Sequence, residues 1–180
     1  MVDEKKLAQL KILAMDVDGV LTDGSLNLGK DGEIFKRFDA KDGLGMSIAQ
    51  RQGLEIVFIT GRLSPIAKRR AQELGVKTVF EQAKDKATVL RQLAADRKLS
   101  LANIGYIGDD LIDLPALSIA GVSFAPKDGA PDVTTRVDYV ATHQGGKGAV
   151  REIIEAILKA QGLWEAVVNS YLTAGQGDKQ

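Results

Sequence analysis

Apolar residues along this chain fall into short blocks that alternate between two periodicities. Lys11–Met15 (KILAM), Glu55–Thr60 (EIVFIT), Thr78–Phe80 and Asn103–Gly108 (NIGYIG) are dense apolar runs of three to six residues, the pattern of strands buried on both faces. Helical spacing fills the intervals: Asp42–Gln52, Lys84–Lys98 and Leu111–Ala120, and most clearly Val150, Ile153, Ile154, Ile157 and Leu158. Ser64 followed by Pro65 is a helix start, and Gly75 is a fitting stop for that helix. Gly121–Ala125 and Asp138–Val140 predict two more strands, and Leu163–Leu172, with Trp164 and Tyr171, a last helix. Ser25–Leu28 and Glu33–Phe38 flank the turn-forming GKDG at 29–32 and predict a β-hairpin.

Strands alternating with helices predict an α/β fold, a three-layer doubly wound parallel sheet of Rossmann-like type. In such sheets ligands bind beyond the carboxyl ends of the strands. The polar clusters Asp16/Asp18, Thr60/Gly61/Arg62 and Asp109/Asp110 all follow predicted strands. At roughly 100–200 residues per domain, 180 residues make one domain, taken here as 1–172. Residues 173–180 (TAGQGDKQ) hold no apolar side chain larger than alanine and are expected to form a mobile tail.

Composition narrows the chemistry. Twenty-four Lys and Arg balance 24 Asp and Glu, which gives no case for nonspecific nucleic-acid binding. The absence of cysteine excludes a disulfide framework, thiolate metal sites and a cysteine nucleophile. The single histidine, His143, argues against a His-rich metal centre and reads as a loop residue. No apolar stretch is long enough to span a bilayer, and the N-terminus carries no signal-peptide pattern, so the expected location is cytoplasmic. Carboxylates, hydroxyls, lysine and arginine are left to carry any reaction.

Four motifs supply them. DVDGVLTDG (Asp16–Gly24) sets two carboxylates one residue apart directly after a strand, and Gly19 lets the chain turn away. Converging carboxylates need a cation, and hard oxygen ligands without His or Cys favour Mg2+. GDDLIDLP (Gly108–Pro115) delivers Asp109 and Asp110 after another strand, with Asp113 one helical turn on. ITGR (Ile59–Arg62) offers the Thr60 hydroxyl and the N–H groups of Gly61 and Arg62 as a cradle for phosphate oxygens. Lys86, in KDKAT, stands where the helix dipole disfavours a cation, so another group is expected to hold it. Singly, the Asp16/Asp18 pair reads equally well as a capped turn with solvated acids, and Asp109/Asp110 read better as a helix start whose acids suit the dipole. Together the four motifs meet the needs of phosphoryl transfer. Asp16 attacks phosphorus, Asp18 exchanges the proton, Mg2+ and Lys86 offset negative charge, and Thr60 holds a phosphoryl oxygen.

This order of motifs resembles the haloacid-dehalogenase-like phosphatase superfamily over residues 11–160. The resemblance implies that Asp16 is the nucleophile and Asp18 the general acid/base. It implies Mg2+ on Asp16, the backbone carbonyl of Asp18, and Asp109, with Asp110 and Asp113 supporting the metal shell and the lysine. Lys86 is preferred as the motif lysine, and Lys84 is the alternative. Only 41 residues separate Asp18 from Thr60, and 25 separate Thr60 from Lys86, so no cap domain fits. DVDGVLTDGSLNLGKDGEIFKRFDAKDGLG, ITGRLSPIAKRRAQELGV, YIGDDLIDLPAL and GGKGAVREIIEAIL are similar to the 3-deoxy-D-manno-octulosonate (KDO) 8-phosphate phosphatases, capless enzymes of lipopolysaccharide precursor synthesis. That likeness implies a homotetramer built on the hairpin, with neighbouring subunits completing each site. It implies substrate contacts from Asp42, Gly43, Gly61, Arg62 and Arg70, and a C-terminal tail that reaches a neighbour's site. Arginine suits the sugar's carboxylate.

Competing assignments differ at identifiable residues. P-type ATPase domains carry Thr where Asp18 stands, and phosphomutases need a cap. Nonulosonate 9-phosphate phosphatases share the framework and remain the alternative on substrate. A receiver-type signalling module would place its acceptor aspartate where Thr60 stands, and its acidic pair would be adjacent rather than spaced.

Overall fold

A computed structural model describes residues 2–174. In chain order its strands are β1 (Ile12–Met15), β2 (Asn27–Gly29), β3 (Gly32–Phe35), β4 (Glu55–Ile59), β5 (Thr78–Phe80), β6 (Ile104–Ile107), β7 (Val122–Ala125) and β8 (Tyr139–Val140). The helices are α1 (Glu4–Ala8), α2 (Ala40–Arg51), α3 (Pro65–Glu73), α4 (Lys86–Arg97), α5 (Leu114–Leu117), α6 (Pro131–Thr134), α7 (Ala149–Ala160) and α8 (Trp164–Ala174). Six strands form one parallel sheet in the order β5-β4-β1-β6-β7-β8, and β2-β3 stands apart as an antiparallel hairpin.

The dense apolar runs are dense because the sheet is covered on both sides. Leu13 and Met15 of β1, with Ile56 and Phe58 of β4, enter a core closed by α1, α2, α3, α7 and α8. Their alternates Ile12, Ala14, Val57 and Ile59 face a second core closed by α4, α5 and α6. The α7 spacing read from the sequence is its buried stripe: Val150, Ile153, Ile154, Ile157 and Leu158 are all fully buried.

Topology then positions the site. From β1 the chain steps to β4 and β5 on one side, and afterwards builds β6, β7 and β8 on the other, which leaves a crevice at the reversal. Met15 lies opposite Phe58 on one neighbour and Ile107 on the other. The residues that follow these strands therefore emerge at one edge.

The structure departs from the expected elements in a few places. The helix expected over 111–120 is a 3-10 turn (Leu111–Asp113) followed by the short α5. Pro115 lacks the N–H that would continue the ladder, and the Asp113 carboxylate takes the amides of Asp109 and Asp110. Helices α1 and α6 lie outside the sequence reading because each buries a single apolar side chain, Leu7 and Val133, too few to set a period. Of the expected tail, Thr173 and Ala174 belong to α8, and 175–180 lie outside the described residues. The hairpin, α2 and β4 occupy the interval before Thr60, and α3 and β5 the next, so neither contains a cap domain.

Candidate active site

Asp16 follows β1 directly, and its N–H continues the sheet by donating to the Ile107 carbonyl at 3.0 Å. Its side chain is buried, 7 % exposed, and the Val17 N–H donates to Oδ1 at 2.7 Å. Lys86 opens α4 against the helix dipole because two carboxylates hold it. Its ammonium lies 2.8 Å from Asp16 Oδ2 and 2.7 Å from Asp113 Oδ1, and its side chain is 2 % exposed. Of the two candidate lysines, Lys86 is the one placed in this cluster, and Lys84 is exposed.

Asp113 is fully buried and every lone-pair direction has work. Oδ1 accepts from Lys86 and from the Tyr106 hydroxyl at 2.8 Å, and Oδ2 accepts from the amides of Asp109 and Asp110. It is therefore a support for its neighbours. Tyr106 was missed in the sequence because it reads there as an ordinary strand residue. Its position two residues before the Gly-Asp-Asp turn is the available signal.

Carboxylate oxygens of Asp16, Asp109 and Asp113 lie within 4.8 Å of one another. Burial and the Asp113 carboxylate push Asp16 up to about 6, against the opposing pull of Lys86. Burial, then Asp113, Asp16 and Asp110, push Asp109 up to about 8. Asp109 Oδ1 is buried and has no hydrogen-bond partner among the described residues. One ammonium among converging carboxylates leaves negative charge uncompensated, and an oxygen without a donor marks where a hard cation fits. The chemistry of this carboxylate set thus suits Mg2+. Gly19 is required for this closeness. Its φ is +87°, and a Cβ there would overlap the Asp109 carboxylate. A second brace went unread in the sequence: Gly146 N–H donates to the Val20 carbonyl at 2.9 Å, and a Cβ on Gly145 would overlap the Gly19 carbonyl.

Asp16, Asp18, Thr60, Gly61, Arg62, Asp109 and Asp110 line one open cavity of about 380 Å³, together with Gly24, Leu26 and Ile112. Thr60 is buried, and its Oγ1 accepts from the Arg62 N–H at 3.2 Å, which fixes the loop after β4. Asp110 caps the 3-10 turn by accepting from the Leu111 N–H at 2.7 Å. The Asp18 carboxylate meets the ammonium of Lys36, from the chain just beyond β3. Sequence reasoning passed over Lys36 as one polar position of a hairpin strand.

Asp42, Gly43 and Arg70 stand away from this cavity. Asp42 is 1 % exposed, and its oxygens accept from the N–H groups of Arg151 (2.7 Å) and Gly148 (3.2 Å). Inside one chain it caps α7 and does not face the cavity. Gly43 makes room for the Arg70 guanidinium, which stacks over Phe38 at 5.7 Å. Arg70 lines a separate cavity of about 490 Å³ with Lys36, Phe38, Ala40, Ile66, Arg69 and Glu73. His143 sits in a loop, as expected, and Glu152 holds it there through Nδ1 at 2.7 Å.

Comparison with known proteins gives this geometry a setting. The family of haloacid dehalogenase-like hydrolases matches residues 78–154. The chain is 41% identical over 159 residues to a 3-deoxy-D-manno-octulosonate 8-phosphate phosphatase of Haemophilus influenzae, covering 88% of each chain. It is 37% identical over 157 residues to the Escherichia coli K12 protein of the same name, covering 87% of this chain and 84% of that one. Among solved structures, the Moraxella catarrhalis phosphatase of that name, in complex with magnesium, phosphate and KDO, superposes with a TM-score of 0.91. The two are 39% identical, and the match covers 93% of this chain and 97% of that one.

Proposed function

Because the chain belongs to the 3-deoxy-D-manno-octulosonate 8-phosphate phosphatase family of haloacid dehalogenase-like hydrolases, we propose that it hydrolyses that ester to KDO and phosphate in lipopolysaccharide precursor synthesis. The observation that carries the reading is the Asp16–Lys86–Asp113–Asp109 cluster, buried at the reversal of the sheet and open to a cavity also lined by Asp18 and Thr60.

Asp16 attacks phosphorus in line with the bond between phosphorus and the sugar oxygen, and that P–O bond breaks as the aspartyl phosphate forms. Asp18 gives a proton to the leaving sugar oxygen, then takes one from the water that attacks the aspartyl phosphate and frees phosphate. Lys86 keeps Asp16 ionised and aimed. The Thr60 hydroxyl and the Gly61 amide hold phosphoryl oxygens, while the Arg62 N–H, read from the sequence as part of this cradle, is taken by Thr60 Oγ1. Bound Mg2+ supplies positive charge that lets two anions approach. Asp16, Asp109 and the Asp18 carbonyl would hold it, while Asp110 and Asp113 orient the loop.

Leu26, Leu28, Ile34 and Phe35 leave the hairpin with four large apolar side chains between 47% and 63% exposed. Such a surface supports assembly through the hairpin, and the working form in this reading is a homotetramer. Arg62 reads the sugar acid from within the chain, and Arg70 reaches the neighbouring site. No helix among the described residues is long and apolar enough to cross a membrane. A sugar-acid phosphate, charged at both its phosphate and its carboxylate, stays where it is made, so in this reading the reaction belongs in the cytoplasm.

The test is phosphate release with Mg2+ from KDO 8-phosphate, a nonulosonate 9-phosphate and hexose phosphates. The expected result is a strong preference for the eight-carbon acid. Equal or better turnover of the nine-carbon ester would overturn the substrate assignment and leave the chemistry standing.

A further inference from the structure

Lys36 has no part in the mechanism above, yet its surroundings are built with care. Its side chain is 1 % exposed, a burial that lysine tolerates only when its charge is fully met. Two carboxylates meet it: Asp18, through Oδ1, and Glu33, at 2.7 Å. Glu33 is fixed in turn by the Ser64 hydroxyl, which donates at 2.5 Å from the N-cap of α3, and the Ser64 N–H is tied to Glu81 at 3.1 Å. A continuous chain of contacts thus runs from the loop after β4, through the hairpin, to the acid/base carboxylate.

Among the described residues, Lys36 is the one side chain that hydrogen-bonds the Asp18 carboxylate, and Oδ2 is free of protein donors. Asp18 also lines the reaction cavity. Proton transfer needs the carboxyl oxygen within about 2.6–3.2 Å of the leaving oxygen, and an untethered aspartate spreads over several rotamers. We propose that Lys36 is a positioning residue. By holding Oδ1 of Asp18 it leaves Oδ2 as the single oxygen presented to the sugar oxygen and, later, to water. Glu33 and Ser64 keep Lys36 in place, so the hairpin sets the aim of the acid/base.

The inference rests on the phosphatase reading, and one experiment judges the two separately. kcat/KM covers the steps through release of the alcohol. It is measured for wild type, Lys36→Met, Lys36→Arg, Glu33→Gln and Asp18→Asn on two esters. One is the best alkyl phosphate that wild type hydrolyses. The other is p-nitrophenyl phosphate, whose leaving phenolate needs no proton. Wild-type rates test the phosphatase reading, and variant-to-wild-type ratios test this one. A positioned acid is worth about 10²–10⁴-fold, so Lys36→Met should lose about 10–100-fold on the alkyl ester and less than about threefold on the aryl ester. KM for the alkyl ester should stay within about twofold, because an acid misaimed at the leaving oxygen weakens the transition state and not substrate binding. Asp18→Asn should show the same ester selectivity more strongly. Lys36→Arg should recover part of the loss, and Glu33→Gln should show a smaller loss with the same selectivity. Equal losses on both esters would make Lys36 a scaffold residue, and a loss confined to KM would make it a substrate ligand. Either result overturns the proposal, and Glu33→Gln decides the matter if Lys36→Met does not fold.

Discussion

Replacing Lys86 with Met tests whether the buried ammonium holds the site together. The substitution keeps the aliphatic length and deletes two charge-assisted hydrogen bonds, at 2.8 Å to Asp16 and 2.7 Å to Asp113. Hydrogen bonds to charged groups contribute about 1.5–3 kcal/mol each. Removing one member of a buried ion pair costs about 3–5 kcal/mol, since the partner charge stays behind. Here the stranded carboxylates also face Asp109, so the loss should reach the upper part of that range. In a domain of this size, 1 kcal/mol shifts Tm by roughly 2–4 °C, so Tm should fall by roughly 8–20 °C in metal-free buffer. Thermal unfolding followed by circular dichroism, with and without Mg2+, is the assay. A ligand at 100 times its Kd stabilises the folded state by about 2.7 kcal/mol. Mg2+ should therefore raise the variant's Tm at least as much as the wild type's, because it becomes the sole cation in the cluster. Phosphate release should be lost in both buffers. A metal-free Tm within about 2 °C of wild type would refute the claim that this ammonium offsets buried negative charge.

Asp16→Asn should lower phosphate release on the order of 10⁴-fold or more while the far-ultraviolet spectrum and Tm stay near wild type, and substantial Mg2+-dependent turnover would remove Asp16 as nucleophile. Phe35→Asp puts a charge on the exposed apolar hairpin face, so light scattering should report a smaller particle and activity should fall with it; a fully active monomer would contradict the shared-site reading. Glu152 accepts from His143, Thr142 and Tyr139. Burial alone would raise its pKa, but these donors hold it down at about 2, below the ordinary 4.5. A depressed carboxylate stabilises the fold above its unfolded pKa, and that contribution is lost as pH falls from 4.5 toward 2. The shift corresponds to at most about 3 kcal/mol, which partial solvent exposure cuts to roughly 1–2. In urea titrations Glu152→Gln should therefore be less stable than wild type at pH 7, and the gap should close across that window. A gap that stays constant would refute the linkage.

The sequence carried the fold where hydrophobic period and tertiary burial agree. KILAM, EIVFIT and NIGYIG are covered on both faces, so nearly every residue had to be apolar. The α7 stripe was legible for the same reason. Legibility failed where one polar contact decides local structure, as when Asp113 captures the amides of Asp109 and Asp110 and interrupts the expected helix over 111–120. In the site, residues adjacent to strand ends could be found, because a parallel sheet delivers them to one edge. Lys36 and Tyr106 could not, because each acts through a side-chain partner on another element, Asp18 and Asp113, and neither pair lies on one strand or helix whose period could reveal it. Asp42 shows the converse. The resemblance implies a place for it at the substrate, and within one chain the fold uses both its oxygens to cap α7.

Arg70 brings the chain's own geometry to bear on its quaternary state. It lies against Phe38 and Gly43, in a cavity distinct from the one the reacting carboxylates line. Its Nε is buried without a partner among the described residues, while Nη1 only grazes Glu73 at 3.5 Å. In the proposed tetramer, a guanidinium held in this way would be ready for an anion brought by a neighbouring subunit. Lys36 links the two cavities, lining the one with Arg70 and holding Asp18, which lines the other. The hairpin that carries Lys36 also displays the exposed Leu28, Ile34 and Phe35. If two hairpins pack through that face, each assembly contact is transmitted to Lys36, and through it to the acid/base of the site. Oligomer formation and catalysis then share one structural element. The enzyme would need no cap domain, because the surface that binds a neighbour also aims Asp18.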